Sequence, residues 1–147
     1  MKNIKPKLIK LFKEGYCAPQ IGRIAKTIDE PSATIHYNIK KLENEGAIKT
    51  YKAVFDYKKI DEGFCAYVLI ALSPAEYSNP ERVAKEFAKQ REVDIIAGDW
   101  ELILKVRTKD QDEYFNFLRD VISKKGNLQK TKTIISLKQV KTEFVSI

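Results

Sequence analysis

The chain has 147 residues, 44% of them apolar, and a net charge of +7. That length holds one ordinary domain or two small ones, and that apolar share supports a packed core and excludes a disordered chain. No apolar run approaches the roughly 18 residues of a membrane span, and Cys17 and Cys65 stand too far apart for a disulfide framework or a zinc cluster.

The charge is uneven. Residues 1–50 hold ten Lys or Arg against five Asp or Glu, while residues 51–147 hold seventeen against fifteen. A basic first third points to a polyanion partner, most often nucleic acid. Lysines recur through MKNIKPKLIKLFKEG and interrupt any signal-peptide core, so the chain is expected to be cytoplasmic, with both thiols reduced.

Ile4, Leu8, Leu11 and Phe12 recur at helical spacing and predict a helix from about Lys5 to Glu14, with Pro6 in its first turn and Gly15 after its end. Ile21, Ile24, Ala25 and Ile28 predict a second, short helix. After a break at Asp29-Glu30-Pro31, Ser32 is placed to cap a third helix with its hydroxyl, and Gly46 to end it. Ile35, Ile39 and Leu42 form its apolar seam. AIKTYKAVFD, 47–56, predicts an extended strand, and Tyr57 to Gly63 a boundary.

FCAYVLIAL predicts a strand over 64–72. A helix follows, capped by Ser78 or Asn79, with Val83, Ala84, Phe87 and Ala88 inward. VDIIAGDWELILKVR predicts two short strands broken at Gly98-Asp99. Asp110 caps a further helix with Tyr114, Phe115, Phe117, Leu118, Val121 and Ile122 inward and Gly126 at its end; a last strand is expected over 131–140. The fold class is α+β. A (winged) helix-turn-helix, 1–46, is joined by a strand and linker, 47–63, to a βαββαβ ferredoxin-like unit, 64–147.

The third helix explains its own composition. With the apolar seam holding it to its neighbours, the opposite face is free to enter a DNA major groove. Its N-terminus, with free N–H groups, suits a phosphate. Ser32, Thr34, His36, Tyr37, Lys40 and Lys41 lie on that face and are the candidate DNA contacts. The same lysines would also suit an ordinary solvated helix face.

In the second unit, the candidate binding residues are Gly98, Asp99, Trp100, Glu101, Thr131 and Thr133. A tight G-D-W-E turn offers backbone N–H groups to a carboxylate and an acid to an ammonium, and the threonines offer hydroxyls. Together these suit a free amino acid; a plain β-turn with solvated groups fits the same residues. With one histidine, no glycine-rich phosphate loop and no ligand spacing, no cofactor, no metal and no enzymatic activity are expected. Two other readings stay open: RNA binding on a ferredoxin-like sheet, and an acylphosphatase-like enzyme.

IGRIAKTIDEPSATIHYNIKKLENEGAIKTYKAVFD resembles the DNA-binding half of the Lrp/AsnC (feast/famine) transcriptional regulators, at Ile24-Ala25, Ser32 to Ile35, Ile39 to Glu43, Gly46, Ile48 and Asp56. AGDWELILKV is similar to that family's G-x-x-D turn between strands, and Thr131 to Thr133 to its T-x-T. The resemblance runs from about Lys5 to Val140. It departs at Asn38, where the family usually has Arg, at the Lys-Pro-Lys start of the first helix, and at Glu101, one methylene longer than the usual Asp. It implies a sequence-specific DNA-binding regulator modulated by an amino-acid effector bound between subunits, and dimers that build larger assemblies, octamers among them. The residues point the same way: FCAYVLIAL is too apolar for a sheet with one open face, so a second subunit is expected to cover it.

Overall fold

The computed structural model describes residues 2–89, 91–124 and 128–142, and the side chains of all of these except 122–124. It divides into two compact units, Met1–Val54 and Phe55–Ile147. The expected inward Ile122 side chain and the stop at Gly126 lie outside what is described.

The first unit holds α1 (Lys5–Glu14), α2 (Ile21–Ile28) and α3 (Ser32–Asn44). Pro6 sits in the first turn of α1, where its missing N–H costs nothing. A three-residue turn separates α2 from α3, and Asp29 takes a left-handed conformation to make it. Two expectations fail here. Ser32 does not cap α3: Pro31 holds the half-in position, its fixed φ of −60° suiting it, and its carbonyl accepts from Ile35 N at 3.1 Å. Ser32 is already the first helical residue. Gly46 does lie past the helix end, at φ +75°, with its N–H on Glu43 O. The second failure is the strand over 47–56, which forms no ladder among the described residues. Extended, β-branched chain becomes a strand only where another strand meets its N–H and C=O groups.

The seam of α3 is also narrower than expected. Ile35 is buried and Ile39 half-buried, but Leu42 remains 42% exposed. On α1, Ile4, Leu8, Leu11 and Phe12 all stay exposed. A unit this small has too much surface for its volume to enclose every apolar side chain.

The second unit is a four-stranded antiparallel sheet, β1 (Phe64–Leu72), β2 (Glu92–Ile95), β3 (Leu102–Thr108) and β4 (Leu128–Ser136), in the order β2-β3-β1-β4. α4 (Pro80–Ala88) and α5 (Gln111–Lys124) pack on one face. Asn79 Oδ1 caps α4 by accepting from Arg82 N, and Asp110 Oδ1 caps α5 by accepting from Glu113 N. Alternate residues of β1 and β3, Val68, Ile70, Leu72, Leu102 and Leu104 among them, meet Val83, Phe87, Tyr114 and Val121 in one core. Ala88 and Phe115 were expected inward and are exposed, Phe115 by 49%. Each sits at the border of its helix stripe, where 3.6-residue periodicity alone does not choose a side. β4 spans 128–136 rather than 131–140; Leu137 and Val140 beyond it are exposed.

Cys65 lies on the sheet face away from the helices, yet only 1% of it is accessible. Arg107, its cross-strand neighbour, stacks on the Tyr57 ring at 4.0 Å. Burial pushes the Cys65 thiol pKa up, with Arg107 and Lys105 pulling the other way. A thiol reagent should therefore modify the half-exposed Cys17 rapidly in native protein and Cys65 only in denaturant. Counting reacted thiols against time checks this; two equally fast thiols would contradict the packing around Cys65.

Candidate functional sites

On α3 the candidate residues share one fate. Ser32, Thr34, His36, Tyr37, Lys40 and Lys41 are all exposed, Tyr37 by 68%. Tyr37 does not fold back onto the core. Lys40 Nζ lies 3.3 Å from Glu43 Oε2, and Lys41 Nζ 3.9 Å from Glu45 Oε1. Such exposed pairs within a helix are worth only a few tenths of a kcal/mol, about 0.3–0.5, so a phosphate can take either lysine at little cost. Asn38 does not extend this face: its Nδ2 donates to Thr34 O at 2.8 Å, back along its own helix.

In the second unit the candidates gather at the end of β1. The β1–β3 ladder stops at Ile70 and Leu102, and Glu101 N still donates to Ile70 O at 3.0 Å. Two residues on, the Leu72 N–H has no strand opposite it on that side. Glu101 Oε2 takes it instead, at 2.8 Å. The carboxylate thus extends the ladder by one bond, next to the register shift between Ala71 and Leu72 on the β4 side. Ile96 N donates to Glu101 O and ties the other end of the connection. Between these ties Gly98 and Asp99 are exposed. Gly98 has φ +137°, a conformation that strains any residue with a Cβ, although space around it is open.

Thr131 also pairs with Ile70, but on the β4 side, so β1 lies between it and Glu101. Thr133 lies on the same face, as the alternation predicts, but one pair further in, opposite Val68. That face is the helix-covered one, and the Thr133 hydroxyl is hydrogen-bonded to the Tyr114 hydroxyl. The structure therefore leaves Thr131 one strand beyond β1 from the turn and commits Thr133 to the core. Three participants escaped the residue-type reading: the Leu72 N–H, Tyr114 and Lys130. Lys130 Nζ sits 4.9 Å from the centre of the half-buried Trp100 ring. The only hint of Lys130 in the sequence is its place immediately before Thr131.

A concavity of about 400 Å³ lies between α4 and α5, lined by Phe87, Phe117 and Val121 among others. The Arg91 guanidinium covers the Phe117 ring at 4.2 Å, and burial lowers its pKa. This groove lies on the helix side and includes none of the candidate residues.

Residues 65–145 match the family model described as the Lrp/AsnC ligand binding domain. The chain belongs to the Lrp/AsnC family. It is 35% identical over 127 residues to an HTH-type transcriptional regulator of Pyrococcus abyssi, covering 84% of this chain and 85% of that one. The HTH-type transcriptional regulator FL11 of Pyrococcus horikoshii is 32% identical over 141 residues, covering 94% and 90%. The fold of this Lrp/AsnC chain matches that of the feast or famine regulatory protein of M. tuberculosis, solved with L-methionine, at a TM-score of 0.74, 16% identity and 99% coverage of each chain. The Lrp/AsnC relatives are transcriptional regulators, not enzymes, so the acylphosphatase-like reading falls, and this chain is a transcriptional regulator.

Proposed function

We propose that this Lrp/AsnC regulator reads duplex DNA with α3, as the second helix of a helix-turn-helix formed with α2, and that an amino acid bound at the Gly98–Glu101 turn modulates it. One observation carries the first half: every polar residue expected to contact DNA is exposed, while Ile35 on the opposite side is buried. Residues 1–46 are the DNA reader, 47–63 the connection, and 64–147 the effector-binding and assembly unit, working in the cytoplasm. Supporting the second half, the turn is tied by hydrogen bonds at both ends with Gly98-Asp99 exposed between, and Lys130 lies over the ring of its Trp100. The structural neighbour solved with L-methionine supports the ligand class.

The working form is a homodimer, built on the sheet face that α4 and α5 leave open, and dimers associate further, up to an octamer. A dimer presents two copies of α3 to half-sites about one helical turn, roughly 34 Å, apart. Ligand binding shifts DNA affinity to the extent that it favours one assembly over another.

Selection of fragments from random DNA, repeated with each amino acid present, tests the whole reading. A ranked, palindromic set of sites that changes with one amino acid is expected; the same weak binding to every fragment would sink it. Calorimetry with the twenty amino acids then locates the pocket. Glu101→Ala should abolish ligand heat and also lower stability by about 1–3 kcal/mol, because the Leu72 N–H loses its acceptor. Stability lost with ligand binding intact would make Glu101 a structural clip and place the pocket elsewhere.

A further inference from the structure

The groove between α4 and α5 is built by helical spacing. Along α5, Glu113, Asn116, Phe117, Asp120 and Val121 stand at positions i, i+3, i+4, i+7 and i+8, so they share one side of the helix. α4 adds Glu86 and Phe87, and Arg91 follows that helix in the chain. Phe87 and Val121 are buried and Phe117 is half-buried, so the apolar part of the lining is continuous with the core. The volume, about 400 Å³, lies in the range of small-molecule sites, roughly 300–1,000 Å³.

The polar groups of the lining are engaged, with one exception. Glu113 Oε2 accepts from Lys109 N at 2.6 Å, Glu86 Oε1 lies 3.9 Å from Arg82 Nη1, and Asp120 also has a partner. Asn116 Oδ1 accepts from Arg119 Nη2 at 3.3 Å. The exception is Arg91: among the described residues its guanidinium meets the Phe117 ring and no carboxylate. It is half-buried, and burial opposes its charge. A guanidinium resting on a ring by its flat face keeps its N–H edge for an acceptor, in the fork that matches a carboxylate. A charge drawn partly out of water without a counter-ion is stabilised by gaining one.

The rim limits the charge that the groove accepts. Glu86, Glu113 and Asp120 are exposed acids against the single Arg91, so a second negative charge on a ligand is repelled. We infer that the groove between α4 and α5 is a small-molecule site for a monocarboxylate with an apolar body, the carboxylate on the N–H edge of Arg91 and the body on Phe87, Phe117 and Val121. The site is separate from the Gly98–Glu101 turn, which contributes no residue to it. Phosphate and dicarboxylates are refused by the rim acids, and neutral apolar molecules lack the group that Arg91 takes. An apolar amino acid and its oxo-acid counterpart share the required chemistry.

Calorimetry of the full chain with isocaproate, α-ketoisocaproate and leucine is the measurement, with isocaproamide, succinate and inorganic phosphate as controls. Saturable binding of the two ammonium-free acids is expected, and none of the controls should match it. Arg91→Gln should weaken that binding by about tenfold or more, the loss of a charge-assisted contact, and Arg91→Lys should restore part of it. Asn116→Trp, on an exposed residue of the rim, closes the mouth without touching the core and should give the same loss. Glu101→Ala should leave it unchanged, which separates this groove from the turn. Leucine titrated into Glu101→Ala then tells whether the amino acid or its oxo acid is the tighter ligand. No saturable binding of either acid by the parent, parent-like binding by Arg91→Gln and Asn116→Trp, or loss with Glu101→Ala alone would overturn the site. Equal binding of phosphate or succinate would overturn the ligand class. Each of these outcomes is read apart from the DNA and turn-ligand measurements above, so this site can fail while that reading stands.

Discussion

Replacing both Lys40 and Lys41 with alanine is expected to weaken binding to every DNA sequence alike. Each lysine sits on the exposed face of α3 with only a surface partner, Glu43 or Glu45. If both meet phosphates, the slope of log affinity against log salt falls by about two, since each neutralised phosphate releases its counterions. The exposed Thr34, His36 and Tyr37 predict a different signature. Alanine at any one of them should change preference at particular base pairs by about 1–3 kcal/mol for a direct contact, with the salt slope kept. Binding titrations at several salt concentrations, against ranked sites, separate the two. An unchanged slope for the lysine pair would return it to the role of a solvated face.

Phe87→Ala should cost about 3–5 kcal/mol of stability, the range for removing a buried aromatic side chain and leaving its cavity. Phe87 is 2% exposed and lies in the core that joins α4 to β1 and β3. That loss is a large part of the roughly 5–15 kcal/mol that holds a domain together. Phe115→Ala, on a residue of the same type in α5, should stay within about 0.5 kcal/mol because Phe115 faces solvent. Urea unfolding of both variants checks the contrast. Equal losses would mean that Phe115 is covered in solution, by a second subunit or otherwise.

Much of this protein was legible in its residues because the signals are local. The helix Lys5–Glu14 and the strand Phe64–Leu72 appear where periodicity and composition put them. Asn79 and Asp110 cap their helices because a short acceptor side chain needs only the backbone three residues on. The βαββαβ order follows from the alternation of those local signals, and so do the exposed polar face of α3 and the Gly98–Glu101 turn. Other features depended on what lies across space. AIKTYKAVFD has strand composition but no strand to pair with, and Ser32 lost the capping position to Pro31. Phe115 and Ala88 sit at stripe borders, where only the packed sheet decides which way is in. The sequence by itself determined the family, most of the elements and the residue types at both candidate sites. Only the tertiary structure decided that Glu101 spends one carboxylate oxygen on the Leu72 N–H and that Thr133 belongs to Tyr114. Those facts depend on cross-strand register, and register joins residues far apart in the chain through hydrogen bonds that no local pattern encodes.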